Sequence, residues 1–592
     1  MVVHAYHVGM YIRTTKRKNK DGSVVEYYQL AHNERHPETK VPTQQIIHNF
    51  GRADQVDREA LTRLCRSIAK ICGVEVVDSP TTNQKSVPEG AGLPDGMENI
   101  STFEMGTVVV IEALWERLGI GSVMREKVMG DGSSLPYERA LFAMVANRLC
   151  EPTSKFGVWD RWLTNVYLPS CRNLKLDHMY EAMDALHAHS HDIEKTVFFK
   201  VADLFNLEVD VVFYDTTTAS FTIDEEDEDS QEEDLTEDKI EDDSTESRKE
   251  GLRKYGRCKE GGWSVQVVVA LAVTREGLPI RSWVFPGNTT DVTTIERIKA
   301  DLKGWKLGRA LFVADAGMNS EENRHELAKS CGKYLLATRL ASVKEIKEDV
   351  ILRPGRYKII SKNMHAKEIV VGDGVLQRRY ILCYNPMEAR RENNHRKQVI
   401  FELKVELEKH PEKAATAQWA IKLKASGRYG RYLKVTDDGN LEIDKNTIRN
   451  AARFDGKWVI QTNDDTISVD DAATGYKSLL IIERCFRSLK RTQIKMMPIF
   501  HRLPDRVEAH VKICVLALLI ERVAELACGK TWPQIRGILR TLQVSEYHTE
   551  KFQFFQRNLL SENVSETFKK LEIPLPKRIC EISPRTDLIQ TP

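Results

Sequence analysis

Three acids sit in contexts that suit chemistry at phosphorus. Asp215 closes the apolar run "VDVVFYD", Asp315 closes "ALFVAD", and Glu483 lies inside "TGYKSLLIIERCFRSLKRT". A carboxylate at the end of an apolar strand is costly unless it is exposed at the sheet edge or paired with a cation. In open α/β sheets that edge is where ligands bind. Two strand-end aspartates and one helix glutamate repel one another if gathered without counter-charge. Hard divalent cations remove the repulsion, and Mg²⁺ takes oxygen ligands while keeping several waters. Two such ions about 3.5–4 Å apart clamp an in-line displacement at phosphorus. The competing reading of either aspartate alone is a turn or helix cap, because "DTTTAS" and "DAGMNS" are good turn sequences.

Tyr476, Glu483 and Lys490 recur every seven residues. A helix turning about 100° per residue brings them into one row, flanked by Leu479, Leu480, Phe486 and Arg487. The competing reading is an amphipathic core helix with Glu483 at its edge, paired with Arg487 at i+4. Asp291, in "PGNTTD", reads first as a helix cap and second as a site residue.

The elements that must position these acids follow from hydrophobic periodicity. Residues 1–77 hold a hairpin around "NKDGS" and a helix, "DREALTRLCRSIAKICG"; this region is a candidate DNA reader. Residues 78–101, rich in Pro, Gly, Ser and Asn, read as a linker. Residues 102–205 read as an all-α domain. Residues 206–332 read as the first part of an α/β core with a mixed sheet: strands at "LEVDVVFYDTTTASF", "WSVQVVVALAVT", "LPIRSWVFPGN" and "RALFVADAGMNS", with helices after the last two. Residues 333–467 read as a β-rich insertion with a charged helix from about Pro386 to Lys413. Residues 468–530 return to the core, and 531–592 form a helical tail.

A chain of 592 residues is too long for one core, and 41% hydrophobic content suffices for several. No apolar run reaches about 18 residues, so no membrane-spanning helix is expected. The N-terminus lacks a signal-peptide pattern. Eleven scattered cysteines without a CxxC pair fit reduced thiols and a cytoplasmic location. The net charge of +1 conceals a division: residues 224–246 carry −14, leaving +15 on the rest. The basic remainder suits a polyanion partner. The acidic stretch, within 224–250, reads as a solvated, disordered loop; a second reading is that it competes with DNA for the basic surface.

The order of these blocks resembles the DDE transposases of bacterial insertion sequences, in the branch with a β-rich insertion before the glutamate. "FYDTTTASF", "VFPGNTTD", "ADAGMNS", "FDGKWVIQTND" and "IERCFRSLK" occur in the family's order over roughly residues 1 to 530. The branch signature of Tyr, Arg, Glu and Lys matches in spacing at Tyr476, Glu483 and Lys490, with Leu479 where Arg is expected. The resemblance implies an RNase H-like core and a metal-dependent enzyme, with Asp215, Asp315 and Glu483 holding two Mg²⁺ ions, or Mn²⁺ as a substitute. It implies cleavage at the element's ends, hairpin formation and reopening, and joining to target DNA. It implies a homodimer on paired terminal inverted repeats, in a prokaryotic cytoplasm, associated with the nucleoid. Tyr476 and Lys490 would touch phosphates near the scissile bond. Arg484, Arg487, Lys490, Arg491 and Lys495 form a basic band beyond Glu483, and "RTTKRKNK" and "KASGRYGRYLK" add further basic groups.

Other assignments remain open at this stage. A catalytically silent DNA-binding derivative acting as repressor or inhibitor is one; an RNase H-like nuclease without strand transfer is another. Trp283 is a weak candidate for holding an unstacked base. His187, His189 and His191 read as a helix end rather than a metal site, since no Cys or Glu stands at ligand spacing.

Overall fold

The computed structural model describes residues 10–18, 24–35, 42–52, 96–129, 136–223, 225–228, 251–340, 343–374, 377–410 and 414–585. The helix expected near 57–73, the linker up to residue 95 and most of the acidic stretch lie outside the described residues. The chain divides into two units, Met1–Gly92 with Ala414–Leu441 and Leu93–Lys413 with Glu442–Pro592. In the first unit β1 (Met10–Lys18), β2 (Val24–Arg35) and β3 (Pro42–Arg52) form an antiparallel sheet, so the expected hairpin carries a third strand.

The second unit begins with β4 (Glu98–Glu104) and four main helices: α1 (Gly106–Arg117), α2 (Tyr137–Cys150), α3 (Leu176–Ala188) and α4 (Ser190–Leu204). Then come β5 (Val211–Ser220), β6 (Lys254–Arg257), β7 (Trp263–Val273) and β8 (Pro279–Pro286). Next are α5 (Ile295–Gly304), β9 (Leu311–Ala314), α6 (Glu321–Ala328) and β10 (Lys333–Thr338). β5 pairs in parallel with β9, and β9 with β10. On the other side of β5, β7 and β8 fold back as an antiparallel arm. Three parallel strands beside an antiparallel hairpin, in an α/β unit, is the RNase H-like arrangement expected from the sequence.

The strands are covered on both faces, which is why they read as continuous apolar runs. Phe213, Val267, Val269 and Leu271 join one core. Their neighbours Val212, Tyr214, Val268, Ala270 and Trp283 join a second core against Ile295, Ile298 and Trp305. The insertion extends the same sheet. β11 (Lys358–Ser361), β12 (Met364–Val371), β13 (Arg378–Tyr384) and β14 (Lys457–Thr462) are antiparallel, and β14 pairs with β10. α7 (Pro386–Glu408) is the charged helix between β13 and β14.

α8 (Val469–Lys477) and α9 (Leu480–Arg487) bring the chain back to the core, followed by the buried helix α10 (Pro504–Cys528) and by α11 (Trp532–Leu539). The tail departs from the helical expectation. Alongside α12 (Glu562–Lys570) it forms β15 (Gln543–His548), β16 (Phe552–Arg557) and β17 (Ile579–Pro584). These strands complete a sheet of order β17-β16-β15-β4, with Val544 opposite Phe103. The short aromatic strand "FQFFQR" pairs with its neighbours β15 and β17, and the long-range pairing to β4 is made by β15. Among the described residues no helix is long and apolar enough to cross a membrane.

Candidate active site

Asp215 and Asp315 lie at the same end of two neighbouring parallel strands. The β5–β9 pairing ends at Phe213 opposite Val313, and Asp315 directly follows the last residue of β9. Asp215 is not at a strand end, as the sequence suggested. β5 continues to Ser220, with Asp215 opposite Leu271 and Ser220 opposite Gln266. The β-branched run Thr216–Thr218 keeps the backbone extended where a turn was the alternative. Asp315 makes no capping bond in the short helical turn that follows; its Oδ1 accepts from the Tyr476 hydroxyl at 3.2 Å.

The segment around Glu483 is not one straight α-helix. After α8 the chain tightens, with i+3 bonds from Leu479 N–H to Tyr476 O (3.0 Å), Ile481 N–H to Ser478 O (2.9 Å) and Ile482 N–H to Leu479 O (3.1 Å). Beyond α9, residues Ser488–Thr492 widen into a π-helical turn. The expected row is therefore broken, and its members part company. Tyr476 reaches Asp315; Lys490 reaches Thr217 Oγ1 at 3.2 Å and Glu260 at 2.9 Å; Glu483 stays exposed. Leu479, at the position where Arg was expected, is packed in the core. Its side chain cannot serve as a phosphate contact.

Tyr476 is the hub of the site. Burial, then Asp315, Asp215 and Glu483, raise its hydroxyl far above the ordinary tyrosine range. The hydroxyl thus remains a donor, and all three acids lie within its electrostatic reach. Burial also pushes the Asp215 carboxyl up to about 6, against the pull of the Lys259 ammonium and the Thr216 amide; Asp315 and Asp291 raise it further.

Sequence reasoning missed Lys259. Its Nζ lies 3.5 Å from Asp215 Oδ1 and 3.2 Å from Asp291 Oδ2, and donates to Thr216 O at 2.8 Å. Asp291 also accepts from the Thr216 hydroxyl. These contacts reverse the expected order of its roles: its carboxylate faces the site. A Cβ on Gly317 would stand 3.1 Å from Asp291 Oδ2, so glycine lets the turn after Asp315 close on it. The next residue, Glu260, holds both Lys490 (2.9 Å) and Arg491 (3.0 Å). The turn between β6 and β7 thus offers a cation to the acids and an anion to the basic band. The adjacent opposite charges of "CKEGGW" were the available signal.

Among the described residues no group of three His, Cys, Asp or Glu side chains stands close enough to hold a metal ion. The donors fit a hard divalent cation in kind, being carboxylates. In this arrangement Lys259 supplies the counter-charge.

Residues 12–79 match the family model for the IS1634 family transposase N-terminal domain, and residues 234–520 match that for the transposase DDE domain. The chain belongs to the insertion-sequence DDE transposases. Asp315 and Glu483 of this transposase lie within the DDE match; Asp215 precedes it and rests on strand geometry alone. A search of curated protein sequences gave no significant match. The cryo-EM structure of a piggyBac transposase synaptic complex with hairpin DNA aligns at 9% identity and TM-score 0.31, over 74% of this chain and 79% of that one. At that score the likeness carries no argument.

The remaining residues of the transposase fall into place around this site. Arg484, Arg487 and Arg491 are exposed. Trp283 is a core residue, 2% exposed, with its Nε1 donating to Asp301 at 2.7 Å, and cannot hold a base. His187 lies at the end of α3, 3.3 Å from Asp505 and 3.5 Å from Glu508.

Proposed function

We propose that this transposase cuts the ends of its own element and joins the freed 3′ ends to target DNA, with Asp215, Asp315 and Glu483 as its catalytic acids. The observation that carries this reading is the bond between Tyr476 and Asp315 at the end of β9, with Tyr476 one short turn before the glutamate helix and within electrostatic reach of Asp215 and Glu483. Divalent cations bound by the acids, Mg²⁺ or Mn²⁺, would activate the attacking oxygen and stabilise the leaving one.

The chain's own side chains do the rest. Tyr476 fixes Asp315 through its hydroxyl. Lys490 and Arg491, released from Glu260, bind phosphates beside the scissile bond, and Arg484 and Arg487 extend that grip. Lys259 holds Asp215 and Asp291 together until cations replace its ammonium. Water attacks first and frees a 3′-OH; that hydroxyl attacks the opposite strand to give a hairpin, which is reopened before joining. Each step is an in-line displacement, so one site serves all. The partners are the terminal inverted repeats and the target DNA. A homodimer holds the paired ends, and the 1–77 region reads the repeats. The enzyme acts in the cytoplasm, on the nucleoid.

Incubating the protein with Mg²⁺, a duplex carrying the element's end and a supercoiled target tests this reading. Joined products are expected. Cleavage without joining would leave a nuclease, and tight binding without cleavage a silent DNA-binding derivative.

A further inference from the structure

A basic feature of the second unit lies apart from the catalytic acids. It is a pocket of about 700 Å³ lined by Arg148, Lys155, Arg161, Lys495, Arg502 and Arg506, with His501 and His510 and without an acid. Two of these cations are buried. Lys155 is 3% exposed and Arg148 is 5% exposed. Neither has a carboxylate partner among the described residues. Lys155 Nζ faces His510 Nδ1 at 3.4 Å. Arg148 donates to the carbonyls of Thr153 and Lys495, and its Nε has no partner. Arg506 is the exception, paired with Asp184 at 2.7 Å.

Buried cations without an anion are expensive, and their mutual repulsion adds to the cost. The titration of the group reflects this: burial and the neighbouring Arg148 push Lys155 down to about 7, and burial and Lys155 push His501 down to about 4. A structural role alone would be served better by apolar side chains. A phosphate group satisfies the whole set, because it brings negative charge and several acceptors. The pocket also adjoins the segment carrying Lys490 and the strand carrying Asp215. Lys495 follows the Lys490–Arg491 pair by one short turn. Ser220, the last residue of the strand carrying Asp215, touches Met497 of the pocket wall at 4.0 Å. Phe156 and Phe500 stand exposed among the lining residues, 48% and 69%, as stacking surfaces for bases.

We propose that this pocket is a second phosphate-binding site, distinct from the catalytic acids, that grips the DNA backbone where it leaves the active site. The choice of DNA as ligand rests on the transposase reading.

The test is fluorescence anisotropy of a labelled duplex bearing the element's end, titrated with KCl, for the wild type, Lys155→Met and Arg502→Ala. Each variant should weaken binding about fivefold near 0.1 M salt and flatten the log–log salt slope by about 0.9 per lost phosphate contact. Lys155→Met should unfold no earlier than the wild type, because it removes an unpaired buried charge. Unchanged affinity and slope in both variants overturn the proposal. If Lys155→Met fails to fold, Arg502→Ala, at an exposed position, decides alone. Stabilisation of the wild type by inorganic phosphate, with duplex binding unaltered in the variants, would make this a free-phosphate site and overturn the DNA assignment. Cleavage is scored in the same preparations. Flattened slopes without wild-type cleavage sink the transposase reading and keep the pocket; normal cleavage with unchanged slopes sinks the pocket alone.

Discussion

The Tyr476 hydroxyl donates to Asp315 Oδ1 across 3.2 Å, tying the end of α8 to the end of β9. The bond holds α8 against the end of β9, one short turn before the helix that carries Glu483. Tyr476→Phe should therefore bind the element's end as the wild type does, yet cleave about 10–100-fold more slowly, the scale of a small misplacement of reacting groups. Single-turnover cleavage measures this. The wild-type rate should show no ionisation from Tyr476 up to about pH 10, because the surrounding acids hold its proton on.

Lys259 occupies the place of a cation among the aspartates. Lys259→Gln removes that competitor. Mn²⁺ binding, read by electron paramagnetic resonance, should tighten about tenfold, or about 1.4 kcal/mol. Weaker Mn²⁺ binding would mean that the ammonium helps to assemble the site.

Glu260 restrains Lys490 and Arg491. With Glu260→Gln Arg491 is free to meet DNA and Lys490 is held only by Thr217. Since partly exposed ion pairs contribute about 0.2–1 kcal/mol, duplex binding at low salt should strengthen by no more than about fivefold. The gain should fade at high salt.

Asp215 titrates near 6 in the folded chain, above its ordinary value of 3.8. Between those values the folded state binds more protons than the unfolded one, so stability falls as pH rises through the window. The cost is fully present above about pH 6. Asp215→Asn should be more stable than the metal-free wild type there, by about 1–3 kcal/mol, and the difference should vanish below about pH 4. Adding Mg²⁺ should stabilise the wild type and not the variant. Thermal unfolding across pH checks both statements.

Much of the core was legible in the sequence because its strands are covered on both faces. "VDVVFYD" and "ALFVAD" announce buried parallel strands that lead into acids, and both acids meet Tyr476 electrostatically. Three features were not legible. Lys259 sits 43 residues from its partner Thr216, and its role exists only once β6 folds back on β7. Asp291 carries strong capping signals, and only the neighbouring strand turns its carboxylate inward. The row of Tyr476, Glu483 and Lys490 assumed a constant helical turn, whereas the chain tightens at Leu479 and widens after Arg487, burying Leu479. The tail sheet was hidden for another reason: β15 finds β4 across more than four hundred residues.

In the proposed mechanism Glu483 completes a metal-dependent catalytic site. The most direct test is cleavage of the element's end duplex with Mg²⁺ by wild type and by Glu483→Gln, which keeps the shape and removes the charge. Nicked and joined products are expected from the wild type, none from the variant, and equal DNA binding by both. Equal cleavage by the two would contradict it and leave α9 as a core helix with an idle exposed acid.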